Sequence, residues 1–219
     1  VKLLERLGFL VDVGGRTVLF EKGEDRVAVT GLGGVAEEFA KKAIEKMDPK
    51  PGPNAFNIFM IHQSIRELMY DVAGTFMSIY DLPKGFDLYV NGHIHKPVEW
   101  NKEGILLLIP GSTVLTQLKK EEQQPKGYWL FDTDTKDYRF IEISSRPFIY
   151  REISVDRDQL SDIEAKLKDT VKDVLEREYK KKPIIRIQLV GRLPKGLTPG
   201  DVPSTLPTLD TDRIFHLQI

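Results

Sequence analysis

Phe56-Asn57-Ile58-Phe59-Met60-Ile61 is a short, almost wholly apolar run, and His62 stands at its end. It follows the helix-breaking stretch Asp48-Pro49-Lys50-Pro51-Gly52-Pro53-Asn54 and predicts a strand buried on both faces. Two runs of the same kind come later. Phe86-Asp87-Leu88-Tyr89-Val90 leads into Asn91-Gly92-His93-Ile94-His95-Lys96-Pro97, and Gly104-Ile105-Leu106-Leu107-Leu108-Ile109 stops at Pro110-Gly111-Ser112. The first two are far enough apart for a helical crossover, which is how parallel strands are joined. The reading is an α/β fold whose strand ends, with their loops, carry the functional groups.

Working outward, Arg16-Thr17-Val18-Leu19-Phe20-Glu21 and Arg26-Val27-Ala28-Val29-Thr30 predict a hairpin around Lys22-Gly23-Glu24-Asp25. Leu3, Leu4, Leu7 and Leu10 have helical spacing, but no capping residue precedes them, so the segment reads as a helix already under way. Phe39, Ala43, Ile44 and Met47 predict a helix from Val35 to Met47. Ser64 with Glu67 three residues on is a capping-box pattern opening a helix to about Tyr70. Tyr128-Trp129-Leu130-Phe131 and Tyr138 to Ile143 form a second hairpin, and Trp100, Trp129 and Tyr128 read as packing residues.

The character shifts at Arg146, which sets two regions, 1–145 and 146–219. In the second, Phe148 to Ile153 predicts a strand and Ser161-Asp162-Ile163-Glu164 a capping box early in a long helix. Pro183 to Val190 alternates as a half-exposed strand should, and a turn-rich tail with Pro194, Pro199, Pro203 and Pro207 ends in a strand from Ile214 to Ile219.

Composition limits the possibilities. The 219 residues suit one large domain or one with an appendage, and 41% hydrophobic with 30% charged residues is the balance of a folded chain. With 32 Lys+Arg against 33 Asp+Glu, the net charge of −1 excludes a uniformly basic nucleic-acid binder, though not a local patch. No run reaches the roughly 18 apolar residues of a membrane span. The charged, amphipathic start is no signal peptide, and the absence of cysteine excludes disulfides and thiolate chemistry. A cytoplasmic location is the expectation.

Of four histidines, three follow the apolar runs. His93 and His95 at i and i+2 of an extended segment would point to one side, roughly 6.5–7 Å apart. That spread suits two metals about 3.5–4 Å apart, one imidazole on each. Gly92 would allow close approach or a positive φ. Each histidine also has a plainer reading as a half-buried polar group bonded to backbone. His216, between Phe215 and Leu217, reads as an exposed strand residue. Lys180-Lys181-Lys182 suits either a solvated helix end or a phosphate contact. Arg151, Arg186 and Arg192 are candidates for backbone-phosphate contacts in DNA binding, or ordinary surface.

Ile61-His62-Gln63, Asn91-Gly92-His93-Ile94-His95-Lys96, Ile109-Pro110-Gly111-Ser112 and Arg146-Pro147-Phe148-Ile149 resemble one family. It is the DNA double-strand-break-repair nuclease of the meiotic-recombination-eleven type, closest to its archaeal members and related to bacterial SbcD. Gly-His-x-His alone marks only the wider metallophosphoesterase superfamily; the Arg-Pro-Phe-Ile segment with its strand–helix–strand unit points to the nuclease. The resemblance is strongest from about residue 56 to 150. It implies that 1–145 is part of a metallophosphoesterase α/β sandwich and 146–219 a small α+β DNA-capping domain. It further implies two Mn ions activating water against a DNA phosphodiester, with His62 and His93 on one metal and His95 on the other.

The family's Asp-x-His, Gly-Asp and Gly-Asn-His-Asp motifs, which supply the other ligands and a catalytic histidine, do not occur in the sequence. The expectation is an N-terminally truncated piece, without a catalytic residue of its own and inactive in isolation, its histidines a weak site open to Zn or Ni. Partners implied by the resemblance are double-stranded DNA ends, a coiled-coil ABC-type repair ATPase and a second copy of the parent. The alternatives are a phosphoesterase for small phosphodiesters and a non-catalytic DNA-binding module.

Overall fold

β-branched and aromatic residues make the first pairing: Thr17–Lys22 (β1) and Asp25–Gly31 (β2) run antiparallel across Gly23, whose φ of 63° suits the tight turn. The structure is a computed structural model that describes residues 2–69, 74, 76–202 and 211–219. Contacts divide the chain into two units, Val1–Ser112 with Gly127–Glu142, and Thr113–Lys126 with Ile143–Ile219.

In the first unit Phe56–Ile61 (β3), Leu88–Asn91 (β4) and Ile105–Ile109 (β6) join β2 in a parallel centre. With Val98–Lys102 (β5) the sheet has the order β1-β2-β3-β4-β6-β5. The strand β5 was not anticipated. It pairs antiparallel with β6 through a turn in which Glu103 and Gly104 both have positive φ, 54° and 76°. A second hairpin, Gly127–Phe131 (β7) with Tyr138–Glu142 (β8), agrees with expectation. Trp129 sits in it and donates from its indole nitrogen to the Ile109 carbonyl at 2.9 Å.

The short helix Lys2–Arg6 (α1) precedes the sheet, and Ala40–Met47 (α2) packs on it through Ala40 and Ile44. The expected helix from Val35 is shorter: a 3₁₀ turn, Glu37–Phe39, comes first. The strand β3 is not buried on both faces. Phe59 and Ile61 are buried in one cluster with Ala40 and Ile44 of α2, and Asn57 is buried with its side chain bonded to the Gly52 and Ala55 backbone, while Phe56 and Ile58 are half-buried and Met60 is 40% exposed. On this second face the ring of Phe131 lies 5.3 Å from that of Phe56.

Neither capping box of the sequence reading forms. After Ser64 there is a single 3₁₀ turn, Arg66–Leu68, and the expected end at Tyr70 lies outside the described residues. Glu67 reaches forward instead, accepting from the Ser78 hydroxyl (2.6 Å) and the Ile79 amide (2.9 Å). Capping boxes form instead at Ser78 with Asp81, around the turn Ile79–Asp81, and at Thr198 with Asp201; Lys41 on α2 lies 2.9 Å from Asp81. In the second unit, Leu160–Leu175 (α3) begins after Gln159 with no side-chain cap, so Ser161 falls inside the helix.

There, Phe148–Asp156 (β9), Ile184–Arg192 (β10) and His216–Gln218 (β11) form a parallel sheet of order β11-β10-β9. Ile163, Leu167, Val171 and Val174 of α3 are buried in one cluster with Ile153, Ile185 and Ile187. The stretch 113–126 belongs to this unit and carries a buried ion pair, Lys126 to Glu122 at 2.7 Å with both side chains 4% exposed. The Thr116 hydroxyl donates to the other carboxylate oxygen of Glu122 at 2.7 Å. A pair this deeply buried is tolerable only when its oxygens and protons are so occupied.

Two outcomes follow from this packing. Phe59→Ala should cost about 3–5 kcal/mol in denaturant unfolding, whereas Met60→Ala on the open face should cost about 1 kcal/mol or less. Burial opposes ionisation of Asp81, but the Lys41 ammonium and the Ser78 amide outweigh it and hold the carboxyl below its ordinary value. A lowered carboxylate contributes stability above its unfolded pKa and loses it as pH falls through the folded one. The stability gap between the protein and Asp81→Asn should therefore be full at neutral pH and close below about pH 4, read from melts across that range.

Candidate functional site

Parallel register places the ends of β3 and β4 side by side: Ile61 pairs with Asn91, and the Gly92 amide donates to the Ile61 carbonyl at 3.0 Å. Asn91, fully buried, prolongs the pairing with its side chain. Its Oδ1 accepts from the Gln63 amide (3.0 Å), and its Nδ2 donates to the Gln63 carbonyl (2.9 Å). The residues leaving both strands are thus held to one another for two positions beyond the sheet.

His62 and His93 meet there. Their ring centroids are 5.3 Å apart at an interplanar angle of 85°, and the His93 backbone amide donates to His62 Nδ1 at 3.2 Å. Two glycines make room. A Cβ on Gly92 would lie 2.5 Å from His62 Nδ1, and one on Gly34 would touch Cδ2 at 3.5 Å. Gly92 therefore serves close approach, while the positive φ falls on His93 itself, at 60°. The Ile94 amide donates back to the Gly92 carbonyl at 2.6 Å, so residues 92–94 make a three-residue turn. This corrects the extended i, i+2 geometry expected for His93 and His95: the reversal at His93 breaks the alternation.

His95 is half-buried, and its carbonyl accepts from the Ser112 amide (3.0 Å) and hydroxyl (3.4 Å). Gly111, at φ 73°, approaches so closely that a Cβ would lie 2.7 Å from that carbonyl. The Pro-Gly-Ser end of β6 thus fixes the His95 backbone. A groove of about 400 Å³ lies beside the pair, lined by Asp12, Gly31, Met60, His62, Gly92 and Pro110.

Behind the rim stands Glu37, which the sequence reading missed. Its carboxylate accepts from the Ser64 hydroxyl (2.8 Å) and amide (3.2 Å) and lies 3.9 Å from His93 Nε2. The available signal was its place after Gly33-Gly34 on the loop leaving β2, the strand beside β3.

The implied manganese centre can be tested on these donors. Among the described residues no three His, Asp or Glu side chains converge to hold an ion. A neutral His62 whose Nδ1 accepts from His93 N–H also carries its proton on Nε2, the nitrogen an ion would need. The described residues therefore do not form a complete metal centre.

The three arginines have different surroundings. Arg151 donates to the Tyr150 carbonyl at 3.0 Å, and Arg186 donates to the Leu118 carbonyl. Arg192 is exposed at the end of β10. His216 is exposed on β11, as expected. Among the described residues no helix is long and apolar enough to cross a membrane.

Gly92→Ala should push the His62 ring away from the turn, because the new methyl and Nδ1 cannot share the space. The expected signature is loss of the His62–His93 contact in a crystal structure, with a stability cost of about 1–3 kcal/mol.

No family model matches the chain. Curated relatives do, three of them as follows. The DNA double-strand break repair protein Mre11 of Sulfolobus acidocaldarius is 28% identical over 174 residues, covering 76% of this chain and 43% of the relative. The double-strand break repair protein mre-11 of Caenorhabditis elegans is 31% identical over 159 residues, 64% of this chain and 22% of the relative. Double-strand break repair protein MRE11 of Arabidopsis thaliana is 29% identical over 204 residues, 78% and 28%. The chain spans less than half the length of each of these relatives. With its mixed α/β fold and the histidine-bearing ends of β3 and β4, the chain is similar over most of its length to part of the Mre11 double-strand break repair proteins.

Proposed function

We propose that this chain is part of a metal-dependent nuclease acting on double-stranded DNA ends in double-strand break repair. The observation that carries the proposal is the His62–His93 pair, two imidazoles from adjacent parallel strand ends in a chain homologous to Mre11 proteins. In this reading His62 and His93 contribute to one Mn ion and His95 to a second. Mn favours carboxylate as well as imidazole, so the remaining ligands come from outside the described residues. Coordination by neutral His62 requires release of the His93 amide by either nitrogen, since binding through Nδ1 takes the lone pair the amide uses and binding through Nε2 puts the ring proton on Nδ1.

The chain by itself is inactive in this proposal, because two imidazoles without carboxylates hold Mn poorly. The second unit supplies DNA contacts, for which exposed Arg192 is better placed than Arg151 or Arg186, whose guanidinium groups already donate to carbonyls. A coiled-coil ABC-type ATPase and a second copy of the whole protein complete the proposed assembly.

The test is made in the whole protein. His62→Ala and His93→Ala should each abolish Mn-dependent degradation of linear duplex while leaving duplex binding within a few-fold of the parent, measured side by side. Cleavage that survives both substitutions would overturn the proposal. Binding that persists in the absence of any cleavage by the parent would favour a DNA-binding module instead.

A further inference from the structure

Glu37 does more than terminate a loop. Its 3₁₀ turn, Glu37–Phe39, has no side-chain cap and contributes no buried residue, so the packing of the turn does not explain a carboxylate at this position. The carboxylate is about one-third exposed, with side-chain accessibility of 31%, and is directed at two different strand exits. One oxygen takes the Ser64 hydroxyl at 2.8 Å and the Ser64 amide at 3.2 Å, and the other lies 3.3 Å from the same amide. The first oxygen also lies 3.9 Å from His93 Nε2. That is too long for a direct hydrogen bond but within the reach of one bridging water.

The two rings are therefore keyed through different nitrogens. His62 is engaged at Nδ1 by the His93 amide, whereas His93 faces its carboxylate with Nε2. A carboxylate accepts and cannot donate, so it favours the form of a neutral imidazole that carries its proton on the facing nitrogen. We propose that Glu37 is a positioning residue: it holds His93 in the Nε2–H form, leaving the Nδ1 lone pair for whatever the His62–His93 rim binds, while its bonds to Ser64 tether the loop that carries His62. An outer carboxylate that fixes a ring's orientation and proton position is the arrangement that makes imidazole a directed donor. The purpose of the device rests on the metal reading above; its existence does not.

The experiment is ¹⁵N NMR of the histidine rings in this chain without added metal, at about pH 8, above the ordinary imidazole range. In the unsubstituted chain, the ring-nitrogen shifts and long-range couplings of His93 should report the Nε2–H form as the major species. Glu37→Gln, whose amide can also donate, should move both His93 ring resonances toward a mixture of the two forms, and Glu37→Asp should restore part of the difference. Ser64→Ala removes the hydroxyl bond to Glu37, keeps the amide ones, and should leave the His93 nitrogens where they were. A Glu37 that serves only Ser64 predicts the reverse: backbone shifts around residues 63–65 and unchanged His93 rings in Glu37→Gln. That result overturns the proposal. So does a predominant Nδ1–H form of His93 in the unsubstituted chain, a measurement that stands even where the variants fail to fold. Neither reading depends on Mn or DNA, so failure here leaves the nuclease proposal to its own test.

Discussion

The His62 ring rests where a side chain at position 92 would be. With the prospective Cβ only 2.5 Å from Nδ1, the contact exists because that position is glycine. Every other feature of the rim is arranged around this approach. The parallel pairing of β3 with β4 brings the two exits together, and the buried amide of Asn91 locks Gln63 in place of further strand hydrogen bonds. The turn at His93 then swings its amide onto His62 and its ring to within 5.3 Å of the other. Such a turn stores strain at a non-glycine residue of positive φ, and the surrounding bonds hold it there.

The same logic of one strand end serving another extends across the sheet. The Pro-Gly-Ser segment after β6 holds the His95 carbonyl, and Glu37, on the loop after β2, holds Ser64 after β3. Four neighbouring parallel strands therefore each send a loop toward a common task, which explains why the polar groups gather where the backbone is most rigidly defined. The second unit is built differently: its parallel strands take their rigidity from the apolar face of α3, and its segment 113–126 is secured by an ion pair that needs its full set of hydrogen bonds.

The apolar strands were legible in the sequence because burial repeats locally: Phe56 to Ile61 and Ile105 to Ile109 declare themselves without reference to the rest of the chain. The open face of β3 was not, since an apolar run looks the same whether one or both of its sides are covered. Ser64-x-x-Glu67 and Ser161-x-x-Glu164 matched a local pattern, but Ser64 and Glu67 found partners at Glu37 and Ser78, a long-range choice that a four-residue window does not contain. The three histidines were legible by scarcity and by their place after strands. The turn that separates His93 from His95 was not, because glycine at 92 invited the positive φ that the chain assigns to 93. Glu37 offered only its place after Gly33-Gly34 on the loop leaving β2; its partners, Ser64 and His93, are long-range choices like those of the capping residues.

The central claim is that His62 and His93 share one rim, ring against ring. The most direct measurement is the nuclear Overhauser effect between their ring protons, with selectively labelled histidine to remove overlap. The account predicts cross-peaks between the two rings and from the His62 ring to the Gly92 α-protons. Absence of both, with His62 ring protons instead showing cross-peaks to the buried methyls of Ile61 and Ile65, would contradict it.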